Sequence, residues 1–295
     1  MRLVVELLFA VAAAFPRRAV FPAGCVFGGV FKLIGYRKKV IRDNLQRAFP
    51  EHSSKELRRL RSRVYRHFGL LAVEMLRLPR QSPEQLLANS VFEGLDNLYE
   101  TLRQGRGVLV LSGHLGNWET GLATAAAHGF KVAAVTRRIK GGLGQYIADR
   151  MRQSHGVTAI NRRTALRPIL SFLKKHAHDG GVGFVLDQNA KRDDGVFVDF
   201  FGTPACTMAG LAVMAKRYRT PVVPLVFFRD SEGRHHLRFL PEVKWEEVQE
   251  KGEPHKKPSS IEHNTQRYTK ILEQAIREHP EQWIWMHKRW RTSPD

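Results

Sequence analysis

A histidine stands five residues ahead of a glutamate in LSGHLGNWET, residues 111–120. His114 and Glu119 are the pair in this chain whose types and spacing could move a proton. A carboxylate bonded to one imidazole nitrogen fixes the tautomer. It also supports the cation formed when the other nitrogen takes a proton. On one helix, five positions turn through about 500°, leaving the two residues roughly 140° apart around the axis. They meet if His114 stands in a loop and Glu119 in the first helical turn, and Gly113 and Gly116 permit that tight path. No serine nucleophile accompanies the pair. The expected chemistry is general-base attack by a substrate alcohol on an activated acyl group.

Other chemistries lack their residues. There is no H-E-x-x-H to make His114 a metal ligand. LSGHLG puts histidine where a nucleophile elbow needs serine. Neither a P-loop lysine nor G-x-G-x-x-G is present. No metal and no organic cofactor is expected. A structural histidine beside a helix-start glutamate fits the same six residues, and from these residues alone both readings stand.

The surrounding pattern supplies elements to position the pair. GVLVLS (107–112), KVAAVT (131–136), VTAI (157–160), VGFVL (182–186), VVPLVFF (222–228) and HLRFL (236–240) read as strands. Helical patterns lie between most of them: NWETGLATAAAHG, LGQYIADRMRQSHG, TALRPILSFLKKHAHDGG and residues 208–218, with a last helix near 260–278. Strands alternating with helices predict an α/β fold with a central, largely parallel sheet. In such sheets ligands gather beyond the carboxyl ends of the strands, where His114 falls. Residues 37–90 read as a helical lead-in to an α/β domain spanning 37–295. Leu57, Leu60, Val64, Phe68 and Leu71 form one apolar stripe, entered through Pro50 and Ser53–Ser54. EEVQEKGEPHKKPSS (246–260) is the most linker-like stretch.

Two apolar runs precede this lead-in, LVVELLFAVAAAF (3–15) and AVFPAGCVFGGVFKLIGY (19–36), split by PRR. Neither supplies the roughly 20 continuous apolar residues of a spanning helix. A signal peptide and a buried helical hairpin are alternatives. With YRKK following, residues 1–36 read best as a helical, membrane-associating segment with cations at the headgroups. The chain carries 48 Lys plus Arg against 28 Asp plus Glu, a formal charge of +20. That excess calls for an anionic partner: nucleic acid, lipid surface or acidic protein. The basic residues are scattered, without zinc-finger spacing, basic-zipper heptads or an RNP motif, so nucleic acid is not expected. Two cysteines, Cys25 and Cys206, suit a reducing compartment.

Four blocks together resemble the bacterial lipid A late acyltransferases (lauroyl and myristoyl transferases), within the H-x4-D/E glycerolipid acyltransferase-like superfamily. They are HLGNWE; YRKKVIRDNLQRAFPE (36–51); DFFGTPACT (199–207); and PEQWIWMHKRWRT (280–292). The resemblance runs from about residue 3 to 292. It implies an O-acyltransferase that moves a fatty acyl chain from acyl-carrier protein to a hydroxyl of a lipid A precursor, at the cytoplasmic face of the inner membrane. His114 would be the base and Glu119 its partner. Asn117, Arg137, Arg152 and Asp187 would bind substrate, with Gly202 and Thr203 in a loop whose amides approach it. An arginine near the reaction centre suits an oxyanion or a lipid phosphate. The acidic carrier protein, the anionic lipid acceptor and the membrane surface would together account for the positive charge. Candidates for the acyl groove are residues 3–36 and the 68–78 stripe. Trp283, Trp285 and Trp290 fit either the membrane interface or a packed brace. Asn189 stands where many of these enzymes have a second acidic residue. That departure leaves a different glycolipid or an aminolipid open as the acceptor.

Overall fold

The computed structural model describes residues 2–139, 141–248 and 259–294. Most of the linker-like stretch, 249–258, lies outside the described residues. The chain opens with helices α1 (Arg2–Ala14), α2 (Val20–Leu33), α3 (Lys38–Ala48), α4 (Ser54–Arg77) and α5 (Pro83–Ala88). Strand β1 (Ser90–Glu93) and helix α6 (Leu95–Leu102) lead into the alternating region. There follow β2 (Val108–Ser112), α7 (Trp118–Ala127), β3 (Lys131–Thr136), α8 (Gly142–Gln153), β4 (Thr158–Asn161), α9 (Leu166–Lys175) and β5 (Gly180–Val185). A hairpin of β6 (Gly195–Phe200) and β7 (Thr203–Met208) precedes α10 (Gly210–Tyr218), β8 (Val222–Arg229), β9 (His235–Phe239) and α11 (Ser260–Glu278).

Seven strands form one sheet in the order β1-β9-β8-β2-β5-β3-β4. Every neighbouring pair is parallel except β8 with β9. The chain leaves β2 toward β3 on one side, and leaves β5 toward β8 on the other. The two strands where it diverges are themselves neighbours, paired from Val108↔Gly181 to Ser112↔Val185. A crevice therefore opens past their carboxyl ends. Leu109 and Leu111 face the α9–α10–α11 layer, while Val108 and Val110 face α6 and α7. Continuous burial on both faces explains why β2 reads as an unbroken apolar run.

The lead-in comprises α3, α4 and α5, and α4 is the longest of them at 24 residues. Ser53 caps α4 by accepting from the Glu56 amide, and the Glu56 carboxylate returns to the Ser53 backbone. Leu60, Val64, Tyr65 and Leu71 are its buried stripe. Helix α2 crosses α4 backbone to backbone: a Cβ on Gly69 would lie 2.0 Å from the Gly24 carbonyl oxygen. The residues α2 buries are Gly24 and Gly28, while Phe21, Val26, Phe27, Val30 and Leu33 face outward. That reverses the pattern of a helix on a water-facing surface, whose large apolar residues turn inward. Among the described residues no single helix is long and apolar enough to cross a membrane. One pair, Arg17–Leu33 with Lys38–Ala48, has the combined length and composition but is bent by 97°.

Candidate active site

Strand β2 delivers Ser112, Gly113 and His114 to the crevice, and β5 delivers Asp187 and Gln188. Gly113 keeps the approach open, since a Cβ there would sit 3.2 Å from Asp187 Oδ2. Gly116 has φ +60°, and a Cβ on it would meet the Phe227 carbonyl oxygen at 2.6 Å. The loop is therefore pressed onto β8 by a backbone that a side chain would push away.

The imidazole of His114 is held by Asp187. The ring donates Nδ1–H to Asp187 Oδ1 at 2.8 Å, and the His114 backbone N–H donates to Oδ2 at 2.6 Å. The Trp283 indole N–H donates to the same Oδ2 at 2.8 Å. A carboxylate can only accept, so Nδ1 carries the proton and Nε2 is left with its lone pair. The Gln188 carboxamide nitrogen stands 3.3 Å from that Nε2. Asp187 is buried. Burial alone would raise its pKa. The His114 ring, the His114 amide and the Trp283 indole outweigh burial and bring the value down to about 2.

Glu119 does not occupy the place expected of it. No hydrogen bond joins it to the imidazole, and both of its oxygens are taken by Arg152. Arg152 Nε donates to Oε2 at 3.1 Å, and Nη2 donates to Oε1 in a second, shorter contact. The pairing of His114 with Glu119 is corrected to His114 with Asp187 and Glu119 with Arg152. The reason lies in the helix start. The Asn117 Oδ1 caps α7 by accepting from the Thr120 amide at 3.1 Å. Glu119 is then already in the first turn, facing Arg152 on α8.

Other expectations also shift. Asn117 is buried and absent from the cleft wall; it caps α7 and donates to Glu74 Oε2 at 2.9 Å. Glu74 is in turn ion-paired with Arg229. Asn117 therefore anchors the loop and does not line the cleft. Asp187 reaches the site through His114, with both oxygens engaged. Gly202 and Thr203 lie outside the cleft. DFFGTPACT is largely β-hairpin, paired from Gly195↔Met208 to Phe200↔Thr203, with Phe201 and Gly202 at a turn where both have φ above +50°. Trp283 and Trp285 are fully buried, a packed brace rather than an interfacial belt. Arg137 and Arg152 do line the cleft.

The cleft continues into a cavity of 870 Å³. It begins at His114 and Trp118 and runs between α7 and the sheet, past Val110, Leu122, Ala125 and Ala134. Gly183 forms part of its floor; a Cβ there would meet a single neighbour, the Ala133 carbonyl oxygen at 3.6 Å. The expected groove sites, 3–36 and 68–78, contribute no lining residue. Five arginines lie along the cleft: Arg137, Arg138, Arg152, Arg162 and Arg291. Arg138, Arg162, Arg291, Gln188 and His287 had no motif to mark them individually, although His287 and Arg291 sit within the C-terminal block. Burial lowers the pKa of His287 to about 4, leaving it neutral, and its Nε2 accepts from the Asn189 amide at 3.0 Å. Asn189 itself fastens the tail, donating to Thr292 Oγ1 at 3.0 Å.

A histidine with a fixed tautomer, an Nε2 on the cleft wall whose one protein neighbour is the Gln188 carboxamide, and an apolar channel beside it can deprotonate a hydroxyl next to a bound acyl chain. This geometry suits acyl transfer to a hydroxyl. The chain belongs to the family described as bacterial lipid A biosynthesis acyltransferase, whose pattern it matches over residues 2–292. It is 27% identical over 261 residues to the lipid A biosynthesis palmitoleoyltransferase of Escherichia coli K12, covering 88% of this chain and 80% of that one. It is 24% identical over 293 residues to the lauroyltransferase of the same strain, covering 95% and 88%. It is 26% identical over 196 residues to the myristoyltransferase of that strain, covering 65% and 58%. Three acyl names at similar identity leave chain length to be read from the groove.

Proposed function

We propose that the protein transfers a fatty acyl chain from the thioester of acyl-carrier protein to a hydroxyl of a lipid A precursor, with His114 as general base and Asp187 as its fixed partner. The observation that carries this reading is the Nδ1–H donated to a buried carboxylate, which leaves Nε2 as acceptor at the mouth of an apolar channel. The acceptor hydroxyl gives its proton to Nε2. Its oxygen attacks the thioester carbonyl, forming a tetrahedral oxyanion. Collapse of that intermediate breaks the carbon–sulfur bond, and the departing thiolate takes the proton back from the imidazolium. The products are an ester and a free carrier thiol, with nothing oxidised or reduced. Arg152, held at the cleft by Glu119, and the Gln188 carboxamide are the donors placed to stabilise the oxyanion.

The acyl chain occupies the channel beneath α7. The exposed Arg137, Arg138 and Arg291 meet phosphates of the acceptor or of the carrier's prosthetic arm. The outward apolar faces of α1 and α2 lie in the interface of the inner membrane's cytoplasmic leaflet. The deciding experiment is acyl transfer by purified wild-type protein from acyl-carrier-protein thioesters to a lipid A precursor, followed by mass spectrometry of the lipid. Expected is one added acyl mass on the lipid, lost in His114→Ala. Transfer of equal rate in His114→Ala would end the assignment of the base. A labelled acyl group trapped on the protein would end the direct-attack route.

A further inference from the structure

A second cavity, of 1100 Å³, opens on the far side of α7 and shares no lining residue with the catalytic one. Its walls are α4, the end of α5, the turn between β8 and β9, and the joint between α1 and α2. Every carboxylate on its wall is matched. Glu74 pairs with Arg229, Asp230 and Glu232 with Arg234, and Glu281 lies 3.8 Å from Arg63. Two of its arginines are not matched: the Arg17 and Arg66 side chains make no hydrogen bond or ion pair among the described residues. Arg77 donates to the carbonyl oxygens of Ala12 at 2.7 Å and Phe15 at 2.5 Å, which ties the α1–α2 joint to α4 at the cavity mouth. On the inner wall, burial lowers His67 to about 3 and His235 to about 4, so both are neutral polar groups at pH 7.

The rim has a different character. Phe15 and Phe21 line the mouth and are half exposed. They continue into the outward side chains of α1 and α2, including Leu8, Val11 and Phe27. Unpaired, solvent-exposed cations on the cavity wall, beside apolar side chains at the lip, match a molecule with an anionic head and acyl tails.

We infer that this cavity is a binding site for the phosphate headgroup of an anionic phospholipid, held by Arg17 and Arg66, with its tails leaving past Phe15 and Phe21 into the bilayer. The site goes beyond the acyl-transfer reading. It lies across α7 from the catalytic cleft and seats a lipid that is not consumed. Bound there, the lipid fixes the α1–α2 joint against α4 and orients the catalytic cleft toward the membrane that supplies the acceptor.

Dihexanoylphosphatidylglycerol, used below its micelle concentration, tests this by isothermal titration against the full chain. Wild type should bind one molecule saturably. Arg17→Gln/Arg66→Gln should bind at least about tenfold more weakly, the loss expected for two charge-assisted contacts. Ala88→Trp, an exposed helix-end position on the cavity wall, should also block binding. Arg163→Gln/Arg167→Gln removes the same charge from exposed positions outside both cavities and should bind within about twofold of wild type. The inactive His114→Ala protein should bind as wild type does, which keeps this result separate from any failure of the catalytic assignment. Equal losses in the two arginine double variants, or equal affinity for dihexanoylphosphatidylcholine, would overturn the site. Competition by inorganic phosphate at matching concentration would reassign it to a soluble anion.

Discussion

Asp187 and Glu119 are both buried carboxylates at the carboxyl edge of the sheet, and they do different work. Glu119 is five residues from His114 in sequence and makes no hydrogen bond to its ring; its partner is Arg152 on the next helix. Asp187 is 73 residues away and holds the imidazole by both the ring and the backbone. Short spacing put Glu119 in the right neighbourhood, while the adjacency of β2 and β5 put Asp187 in contact. A motif on a loop followed by a helix fixes which residues share a region. The topology of the sheet fixes which atoms touch.

The largest effects should come from the ring and its true partner. His114→Ala is expected to lower turnover about 100- to 10,000-fold, and Asp187→Asn to fall in the same range because the tautomer is no longer fixed. Steady-state transfer with a saturating acyl donor measures both. Glu119→Ala should cost at least about 100-fold, but by a different route. It strands the Arg152 guanidinium, and breaking a buried pair costs about 3–5 kcal/mol. Double-mutant cycles separate the two routes. Asp187→Asn should couple to His114→Ala, and Glu119→Gln to Arg152→Gln, with the crossed pair of Glu119 and His114 close to additive. Strong coupling of Glu119 to His114, with none to Arg152, would restore the dyad suggested by spacing and break the comparison.

The channel gives a smaller and more selective effect. Gly183→Leu projects a side chain into open space on its floor, so the strand should still form. The preferred donor should shift to a shorter acyl chain, with kcat/KM falling about 10- to 200-fold for each methylene that no longer fits. A panel of acyl-carrier-protein thioesters of graded length measures this. An unchanged length preference would place the acyl chain elsewhere. Smaller again is Trp283→Phe, which removes one of three donors to Asp187 and should lower turnover about tenfold while leaving acyl preference unchanged.

Much of the frame was legible in the sequence. Strand β3 and helix α11 lie where the apolar periodicity puts them, and the Ser53 cap lies beside the predicted turn. Strand β1 was not legible. It has four residues, and its partner β9 lies more than 140 positions along the chain. The DFFGTPACT hairpin read as a loop because Gly202 and Pro204 are turn residues. Only the cross-strand register shows that Pro204 sits opposite Asp199 inside a ladder. Within the site, His114 was marked by its place after a buried strand, and Arg137 and Arg152 by resemblance. The channel was not marked. Its floor depends on a glycine whose neighbour across the sheet, Val110, lies on another strand, and one-dimensional periodicity carries no trace of empty space.

The smallest effect, and the one most specific to Asp187, is in stability against pH. Its carboxyl is held at about 2 in the folded chain, against 3.8 for the free group. A lowered folded value means the unfolded chain binds the proton first as pH falls. The stabilisation is therefore complete above about pH 4 and is lost as pH drops through about 2. Asp187→Asn has no proton to bind, so wild type should exceed it in urea midpoint at pH 6. The gap should stay constant to about pH 4 and narrow between pH 4 and pH 2.5. Chemical denaturation at those three values reads the difference between the two proteins, in which the other carboxylates, common to both, cancel. A gap of constant size down to pH 2.5 would mean that the Asp187 charge is not what fastens His114, and the partner of the imidazole would have to be sought again.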